Sequence, residues 1–305
     1  MTGAESGARA PRCPYTPLTR LDARGLVAGT SASCPVPMTR FIARSADGER
    51  TVFLSKPLEA VQPAAFLAEA EFSRYLLGPW ILPVVEVAAP GTAAWAAHAY
   101  VPALPLPAVL ALHGGPLPER TVRALAVALA ETLAVLHGQN VTHAGVSPSA
   151  VLIAADGPRL SCFGAVRAAA QDGVPRHDAP GLDTGSLPPE QAAGGRPRPL
   201  GDVYALGATL AYAATGYTAP ELDELPPFLR SLIGRSLSKD PARRPSIAEM
   251  IRVLADDPAL PSPTGFGPVT RAEAFLGPGW LPPRVIAAIA HQSASVLAAE
   301  VAAAT

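Results

Sequence analysis

The chain has 305 residues, of which 49% are hydrophobic and 16% are charged, and its formal net charge is -1. This length and composition suit one large domain or two lobes with a sizeable core, and they exclude an intrinsically disordered chain. The near-neutral charge gives no electrostatic basis for a nucleic-acid partner. Cys13, Cys34 and Cys162 are widely spaced and form no CxxC pair, so we expect neither a zinc site nor a disulfide framework.

No segment of the sequence predicts a signal peptide or a membrane span. The N-terminus has early charges and no apolar run after them. The longest apolar helix predicted, from Val122 to Leu136, is interrupted by Glu131 and is too short to cross a bilayer. Together with the unpaired cysteines, this predicts a protein of the reducing cytoplasm.

The first third of the chain predicts a small sheet that carries one helix. Residues 1–17 are small, polar and proline-containing, and we expect them to form a flexible tail. Strands at 41–44 and 51–54 flank a turn, and Pro63 opens a helix with a mostly 3.6-residue apolar period. Two more strands, 81–89 and 92–101, are predicted around a Pro-Gly turn.

The rest of the chain predicts helices. Glu119 begins a long amphipathic helix that stops at Gly138, and residues 202–215 form a helix that is apolar all round. Further helices are expected at 225–237, 246–254 and, after a Pro-rich linker at 258–268, from Pro283 to Ala303, with Trp280 as a packing anchor for the last helix.

Several short motifs occur in a fixed order along the chain. They are Tyr100-Val101-Pro102, His143-Ala144-Gly145, Ser147-Pro148-Ser149-Ala150, Cys162-Phe163-Gly164, the PPEQ segment at 188–191, the DVYALG segment at 202–207 and the KDPARRPS segment at 239–246. In order and spacing they resemble the hinge, the catalytic loop, the magnesium loop, the end of the activation segment and two helical motifs of Ser/Thr protein kinases. The resemblance is strongest to bacterial kinases of the actinobacterial type.

The resemblance implies a bilobal α+β fold. It predicts a small antiparallel β N-lobe with one helix at residues 18–101 and a mainly α-helical C-lobe at 102–257. The linker at 258–268 then leads to a C-terminal extension, residues 269–305, that contains the last helix.

Each position that carries chemistry in the family holds an unsuitable residue here. The catalytic base position is Gly145, the following lysine position is Ser147, and the two magnesium-ligand positions are Ala150 and Cys162. The strand lysine that holds phosphates falls at Ser55. Kinase catalysis depends on positioning and charge neutralisation around phosphate and magnesium, so we expect these positions to be degenerate and to bind no metal.

The family's scaffold positions, in contrast, are kept. Glu190 and Arg244 match a buried ion pair, Asp202 matches the carboxylate that holds the catalytic loop, and His143 and Phe163 match two members of an internal hydrophobic stack. The scaffold positions therefore match the family and the catalytic positions do not. This combination predicts a folded domain with a changed function.

The nucleotide cleft is predicted to be filled by the chain's own side chains. If Ser55 is the lysine position, Phe53 takes the small-residue position that roofs the adenine in the family. Lys56 should face the opposite side of the strand, because side chains alternate along a strand. The segment Ser33 to Met38 contains no glycine, and its two prolines remove N–H donors that cradle phosphate in the family.

We therefore expect a catalytically inactive, pseudokinase-type binding or regulatory module. It would need no cofactor and would bind a protein partner, such as an active kinase or another signalling component. One alternative is a divergent active kinase that binds Mg-ATP with Lys56, Glu69 and acidic residues drawn from Asp156, Asp172, Asp178 or Asp183. Another is a nucleotide-binding sensor that does not transfer phosphate, with Lys56 and Glu69 as its candidate binding residues.

Overall fold

The N-terminal part of the protein is an antiparallel sheet that carries one helix. The fold was obtained as a computed structural model that describes residues 13–21, 35–256 and 270–303. The sheet has five strands in the order β1-β2-β3-β5-β4. The strands are β1 (Tyr15–Arg20), β2 (Met38–Ser45), β3 (Thr51–Pro57), β4 (Val84–Val87) and β5 (Ala96–Ala99), and the helix is α1 (Pro63–Ser73).

Strand β1 corrects the predicted boundary of the flexible tail. Residues 15–17, assigned to the tail at residues 1–17, pair with β2. The Tyr15 side chain is buried, packs edge-to-face against Trp95 with ring centroids 5.6 Å apart, and donates its hydroxyl to Glu86 at 2.6 Å. Trp95 and Glu86 are distant from Tyr15 in the sequence, so the local composition around Tyr15 could not predict these contacts. Residues 1–12 lie outside the described part of the chain.

The C-terminal lobe is mostly helical, as predicted. A small sheet with the order β6-β7-β8 joins it to the hinge. Its strands are β6 (Ala103–Pro105), β7 (Val151–Ala154) and β8 (Gly157–Leu160), and the helices are α2 (Leu106–His113), α3 (Glu119–Gly138), α4 (Ala165–Ala169), α5 (Pro189–Ala192), α6 (Pro199–Thr215), α7 (Pro227–Ser236) and α8 (Ile247–Leu254). This order of sheet and helices is the bilobal α+β arrangement that the sequence predicts.

Helix α3 forms the centre of the C-lobe core. It is 20 residues long and has the ends that the sequence predicts. By length and composition alone it is long and apolar enough to cross a membrane, which corrects the expectation, based on the stretch from Val122 to Leu136, that it is too short for that. In the fold, however, it packs against α6 and α8, and most of its residues are buried, as in a core helix of a globular protein. Helix α6, predicted to be apolar all round, is largely buried as well.

The C-terminal extension docks on the domain. It contains α9 (Arg271–Phe275) and α10 (Pro283–Ala303), and α10 has the bounds that the sequence predicts. The Glu131 carboxylate accepts the backbone N–H groups of Arg271 and Ala272 at 2.8 and 3.3 Å, which caps α9. Trp280 is buried and donates its indole N–H to the Ala155 carbonyl at 2.8 Å, in the anchoring role predicted for it. The predicted linker at 258–268 lies outside the described residues.

Helix α10 reaches the hinge between the lobes through Gln292. The side-chain amide oxygen of Gln292 accepts the N–H of Ala103 at 2.9 Å, and its NH₂ group donates to the Ala103 carbonyl at 3.0 Å. One turn later, Val296 packs into the same apolar cluster as Phe53, Leu21 and Leu152. The last helix is therefore part of the core that surrounds the hinge.

We predict that Gln292→Ala lowers the free energy of unfolding by about 1–3 kcal/mol, because both backbone polar groups of Ala103 lose their partner in a buried site. The measurement is denaturant unfolding of the full chain. Gln171→Ala, which removes an exposed glutamine, is the matched control and should change stability by less than about 0.5 kcal/mol. Equal stability of the two variants would contradict the docking role of Gln292.

Candidate functional site

The region that matches a nucleotide cleft lies between the N-lobe sheet and the small sheet of the C-lobe. Strand β3 sends Phe53 and Ser55 inward, and both are 2% exposed. Lys56 faces the other side of the sheet, where its Nζ lies 5.8 Å from the centroid of the Phe41 ring. The alternation expected from the sequence is therefore present, and Lys56 does not line the cleft.

The cleft is filled with apolar side chains. Phe53 packs edge-to-face against Tyr100 with ring centroids 5.2 Å apart, and it shares a buried cluster with Ile42, Leu82 and Leu152. The remaining cavity has a volume of about 40 Å³. A cavity of this size holds about one water molecule, so the residues present do not fit a purine nucleotide.

An arginine occupies the polar end of this cleft, which the sequence did not reveal. Arg40 is 3% exposed and lies opposite Ser55 in the β2–β3 register. Its Nη1 donates to Ser161 Oγ at 3.3 Å and lies 3.8 Å from Cys162 Sγ. A guanidinium group therefore lies beside the residue that matches a magnesium ligand.

Glu69 forms an ion pair with Arg167, a residue that the sequence reasoning did not single out. Its carboxylate receives two hydrogen bonds from Arg167, from Nε and Nη2, both at 2.6 Å. A bidentate pair of this kind fixes both side chains. Glu69 also packs against Gly164, which has a φ of 70° and where a Cβ would overlap the carboxylate. Pairing of Glu69 with Lys56 is therefore not observed.

The backbone has closed over the position of the catalytic base. A Cβ built on Gly145 would overlap the carbonyl oxygen of Cys162. Cys162 has a φ of 63°, in the left-handed region that residues other than glycine rarely adopt. Position 145 therefore lacks an acidic side chain, and main-chain atoms also take up the space that such a side chain would need.

The entrance to the site is also closed. Gly181 lies between Phe163 and Pro188, in the part of the chain that corresponds to the activation segment of kinases. It has a φ of 78° and packs so tightly beneath Val36 and Pro37 that a Cβ would overlap the Val36 carbonyl. The cavity beneath this contact, which Gly145, Ser147 and Cys162 line, has a volume of about 30 Å³. Ser33 and Cys34, in the segment predicted to replace a phosphate loop, lie outside the described residues.

The other degenerate positions serve local structure. Ser147 Oγ accepts the N–H of Ala150 at 3.2 Å and caps a single 3₁₀ turn at Pro148–Ala150. Ala150 is fully buried, and its carbonyl accepts the Ser161 hydroxyl at 2.7 Å. Among the described residues, no group of three or more His, Cys, Asp or Glu side chains is placed to hold a metal ion.

The four candidate acidic ligands do not converge on the cleft. Asp156 pairs with Arg159 in an exposed turn, Asp172 pairs with a buried arginine, and the side chain of Asp178 is 91% exposed. Asp183 lines the small cavity beside Gly145, but its two oxygens accept the N–H of Gly185 at 3.1 Å and the hydroxyl of Ser186 at 2.7 Å. None of the four lines the cavity beside Phe53.

The scaffold residues make the contacts that the sequence predicts. Asp202 accepts the N–H groups of His143 and Ala144 at 2.7 and 2.8 Å and contacts His137 Nε2 at 3.0 Å. His143 packs edge-to-face on Phe163 with ring centroids 5.6 Å apart. The catalytic loop therefore keeps its support, although its chemical groups are lost.

The predicted ion pair inside the C-lobe is present. Arg244, whose side chain has no exposed surface, donates from Nη1 and Nη2 to the Glu190 carboxylate at 2.6 and 2.8 Å. Nη1 also donates to the Leu200 carbonyl at 3.0 Å, and Nε donates to the Ser238 carbonyl at 3.0 Å. Loss of one partner of such a pair costs about 3–5 kcal/mol.

A second buried arginine, Arg176, fixes the activation segment. Its guanidinium donates to the carbonyls of Ala170, Gln191 and Gly195 at 2.8 to 3.2 Å and to the Asp172 carboxylate at 2.8 Å. The side chain has no exposed surface. Both ends of the segment are thus tied to one side chain.

Bacterial serine/threonine-protein kinases are similar to this chain. PkwA of Thermomonospora curvata, a probable serine/threonine-protein kinase, is 32% identical over 209 residues, which make up 63% of this chain and 28% of the relative. The serine/threonine-protein kinase AfsK of Streptomyces coelicolor is 30% identical over 271 residues, 82% of this chain and 33% of the relative. AfsK of Streptomyces griseus is 30% identical over 230 residues, 67% of this chain and 28% of the relative.

The chain belongs to the protein-kinase-like superfamily. No family model matches it, so its membership rests on these bacterial relatives and on the bilobal fold. The chain spans about a third of the length of these curated relatives. Within the kinase-like fold, Arg40 and Arg167 were missed by the sequence reasoning. The alternation along β2 was the available signal for Arg40, because it puts this residue on the cleft face.

Burial makes the stability of this kinase-like domain dependent on pH. Burial lowers the pKa of both His98 and His143 to about 4. The unfolded chain binds these protons near pH 6.5, so we expect stability to fall as pH drops from 6.5 towards 4, by up to about 2 kcal/mol per histidine at pH 5. Denaturant unfolding at pH 7.5 and at pH 5 measures this loss of stability. His98→Leu should reduce the loss, whereas the same change at the exposed His291 should not; an unchanged loss in His98→Leu would contradict the assignment.

We predict that Gly145→Asp, which restores the family's base residue, does not restore phosphoryl transfer. It should also lower the free energy of unfolding by about 1–3 kcal/mol, because the new side chain must displace the Cys162 carbonyl. Thermal unfolding and a labelled-ATP assay measure the two effects. Gly277→Asp is the control, since a Cβ there has no atom within 4 Å. A stable, phosphorylating Gly145→Asp variant would refute the closure at this position.

Proposed function

We propose that the protein is a catalytically inactive, pseudokinase-type module that acts by binding a protein partner. The observation that carries this proposal is the cavity of about 40 Å³ that remains around Phe53 in the cleft. Binding sites for ligands of nucleotide size are several hundred Å³ in volume. A kinase that cannot admit the nucleotide has no phosphoryl group to transfer.

Charge supports the same proposal. In kinases the magnesium ions neutralise charge that develops on the phosphates, and acidic or amide side chains hold them. Here Arg40 lies beside Cys162, and the Glu69 carboxylate is held by Arg167. Cys162 therefore offers no side-chain oxygen to a divalent cation, and Glu69 is paired with an arginine and not with a lysine.

The divergent-kinase alternative has less support. It requires Lys56 to reach the phosphates, and this side chain lies over Phe41 on the opposite face of the sheet. It also requires new metal ligands. Of the four candidate acidic residues, Asp183 is the one that lines the cavity beside the base position, and it already accepts hydrogen bonds at both oxygens. A nucleotide sensor would require the cleft to open around Phe53, which is 2% exposed.

The partner class follows from this reading. A kinase-like fold that keeps its scaffold but lacks the catalytic residues can still bind another protein through its outer surface. We therefore expect a protein partner such as an active kinase or another signalling component. We expect no nucleic-acid partner, because the net charge is -1. A cytoplasmic location remains part of this proposal.

The test is whether the chain binds and uses Mg-ATP. We expect no incorporation of labelled phosphate into the chain or into general kinase substrates, and no rise in melting temperature with millimolar Mg-ATP. An active serine/threonine kinase domain measured in parallel supplies the positive control. Labelling of the chain would overturn the proposal, and a shift of several degrees without labelling would favour the nucleotide-sensor alternative.

A further inference from the structure

A second groove adjoins the cleft and shares Glu69 and Phe163 with it. Its walls come from the C-terminal end of α1, the 140–142 segment that precedes His143, the ring of Phe163 and the turn at Arg196-Pro197. Its volume is about 340 Å³, roughly eight times that of the cavity around Phe53. The groove is therefore large enough to hold an amino-acid side chain.

The groove has an exposed aromatic wall. Phe72 is 52% exposed and stacks on Phe163 at an interplanar angle of 14° and a centroid distance of 5.7 Å. The chain that continues from α1 exposes Tyr75 and Leu77 at 73% and 69%. Within the described residues, three of the ten exposed large hydrophobic side chains thus lie in this one stretch. Concentrated apolar exposure of this kind marks interaction sites.

The electrostatics of the groove favour an anion. Arg167 lines it, but the Glu69 carboxylate neutralises this guanidinium. Arg196 also lines it, is exposed, and makes no ion pair or hydrogen bond with any other residue that the structure describes. Glu69 is the only acidic side chain among the lining residues. One positive charge is therefore left without a counterpart beside an aromatic surface.

We propose that this groove docks an acidic peptide segment of a partner protein. An aromatic or large aliphatic side chain of the segment packs on Phe72, and an Asp or Glu carboxylate of the segment pairs with Arg196. Aromatic anchors and arginine are the residue types that dominate binding energy at protein interfaces. The proposal deepens the proposed function, on which it rests, by assigning the surface that a binding module uses.

A carboxylate fits better than a phosphate group. Phosphopeptides are recognised by clusters of arginines, because the group carries about -1.5 to -2 charges at neutral pH. The groove offers a single uncompensated guanidinium, that of Arg196. One charge therefore matches one carboxylate.

The experiment is selection of peptides from a random 12-residue display library on the full chain, followed by synthesis and fluorescence polarisation of the enriched sequences. We expect a consensus that combines an aromatic or large aliphatic residue with Asp or Glu. Arg196→Glu should weaken binding at least tenfold, as should Phe72→Ala. Arg198→Glu, an exposed arginine that does not line the groove, is the matched control and should bind as the wild type does.

A peptide with the opposite charge distinguishes a loss of the ion pair with Arg196 from a loss of folding in the variant. A peptide whose acidic residue is replaced by Lys should bind Arg196→Glu better than it binds the wild type. Failure to enrich any peptide, equal binding to Arg196→Glu, or tenfold tighter binding of a phosphoserine peptide would each overturn the proposal. Phosphate labelling of the chain would refute the proposed function alone, since it leaves the dependence of peptide binding on Arg196 unaffected.

Discussion

The buried carboxylate of Asp202 is the interaction on which the rest of the site depends. It accepts the N–H groups of His143 and Ala144, and the φ of 53° at Ala144 is a conformation that alanine rarely adopts. An unpaired buried N–H group is costly, so this carboxylate determines the path of the loop between α3 and β7. The loop keeps its shape for that reason.

The fold is preserved and the cleft is closed, and these two facts have different causes. The scaffold is held by ion pairs and backbone hydrogen bonds within the C-lobe, which do not involve the cleft. The cleft is closed by Phe53, by Arg40 and by the Cys162 carbonyl beneath Gly145. These groups occupy much of the space around Ser55, Gly145 and Cys162. The site thus differs from a kinase cleft in its packing as well as in the side chains at these positions.

The sequence predicted those features that depend on local pattern. The resemblance to kinases placed Phe53 in the cleft, strand alternation placed Lys56 outside it, and apolar periodicity predicted helix α10 with the correct ends. It did not predict that Glu69 pairs with Arg167 or that Gln292 binds the hinge. Those contacts join residues 98 and 189 positions apart. They depend on how whole elements pack, and no short-range signal in the chain records that packing.

The buried side chain of Arg176 holds both ends of the activation segment by hydrogen bonds. Four groups at the two ends of this segment, three carbonyls and one carboxylate, converge on one guanidinium with no exposed surface. No covalent modification is needed to hold the segment in this shape. Loss of the Arg176 side chain would therefore release both ends of the segment at once.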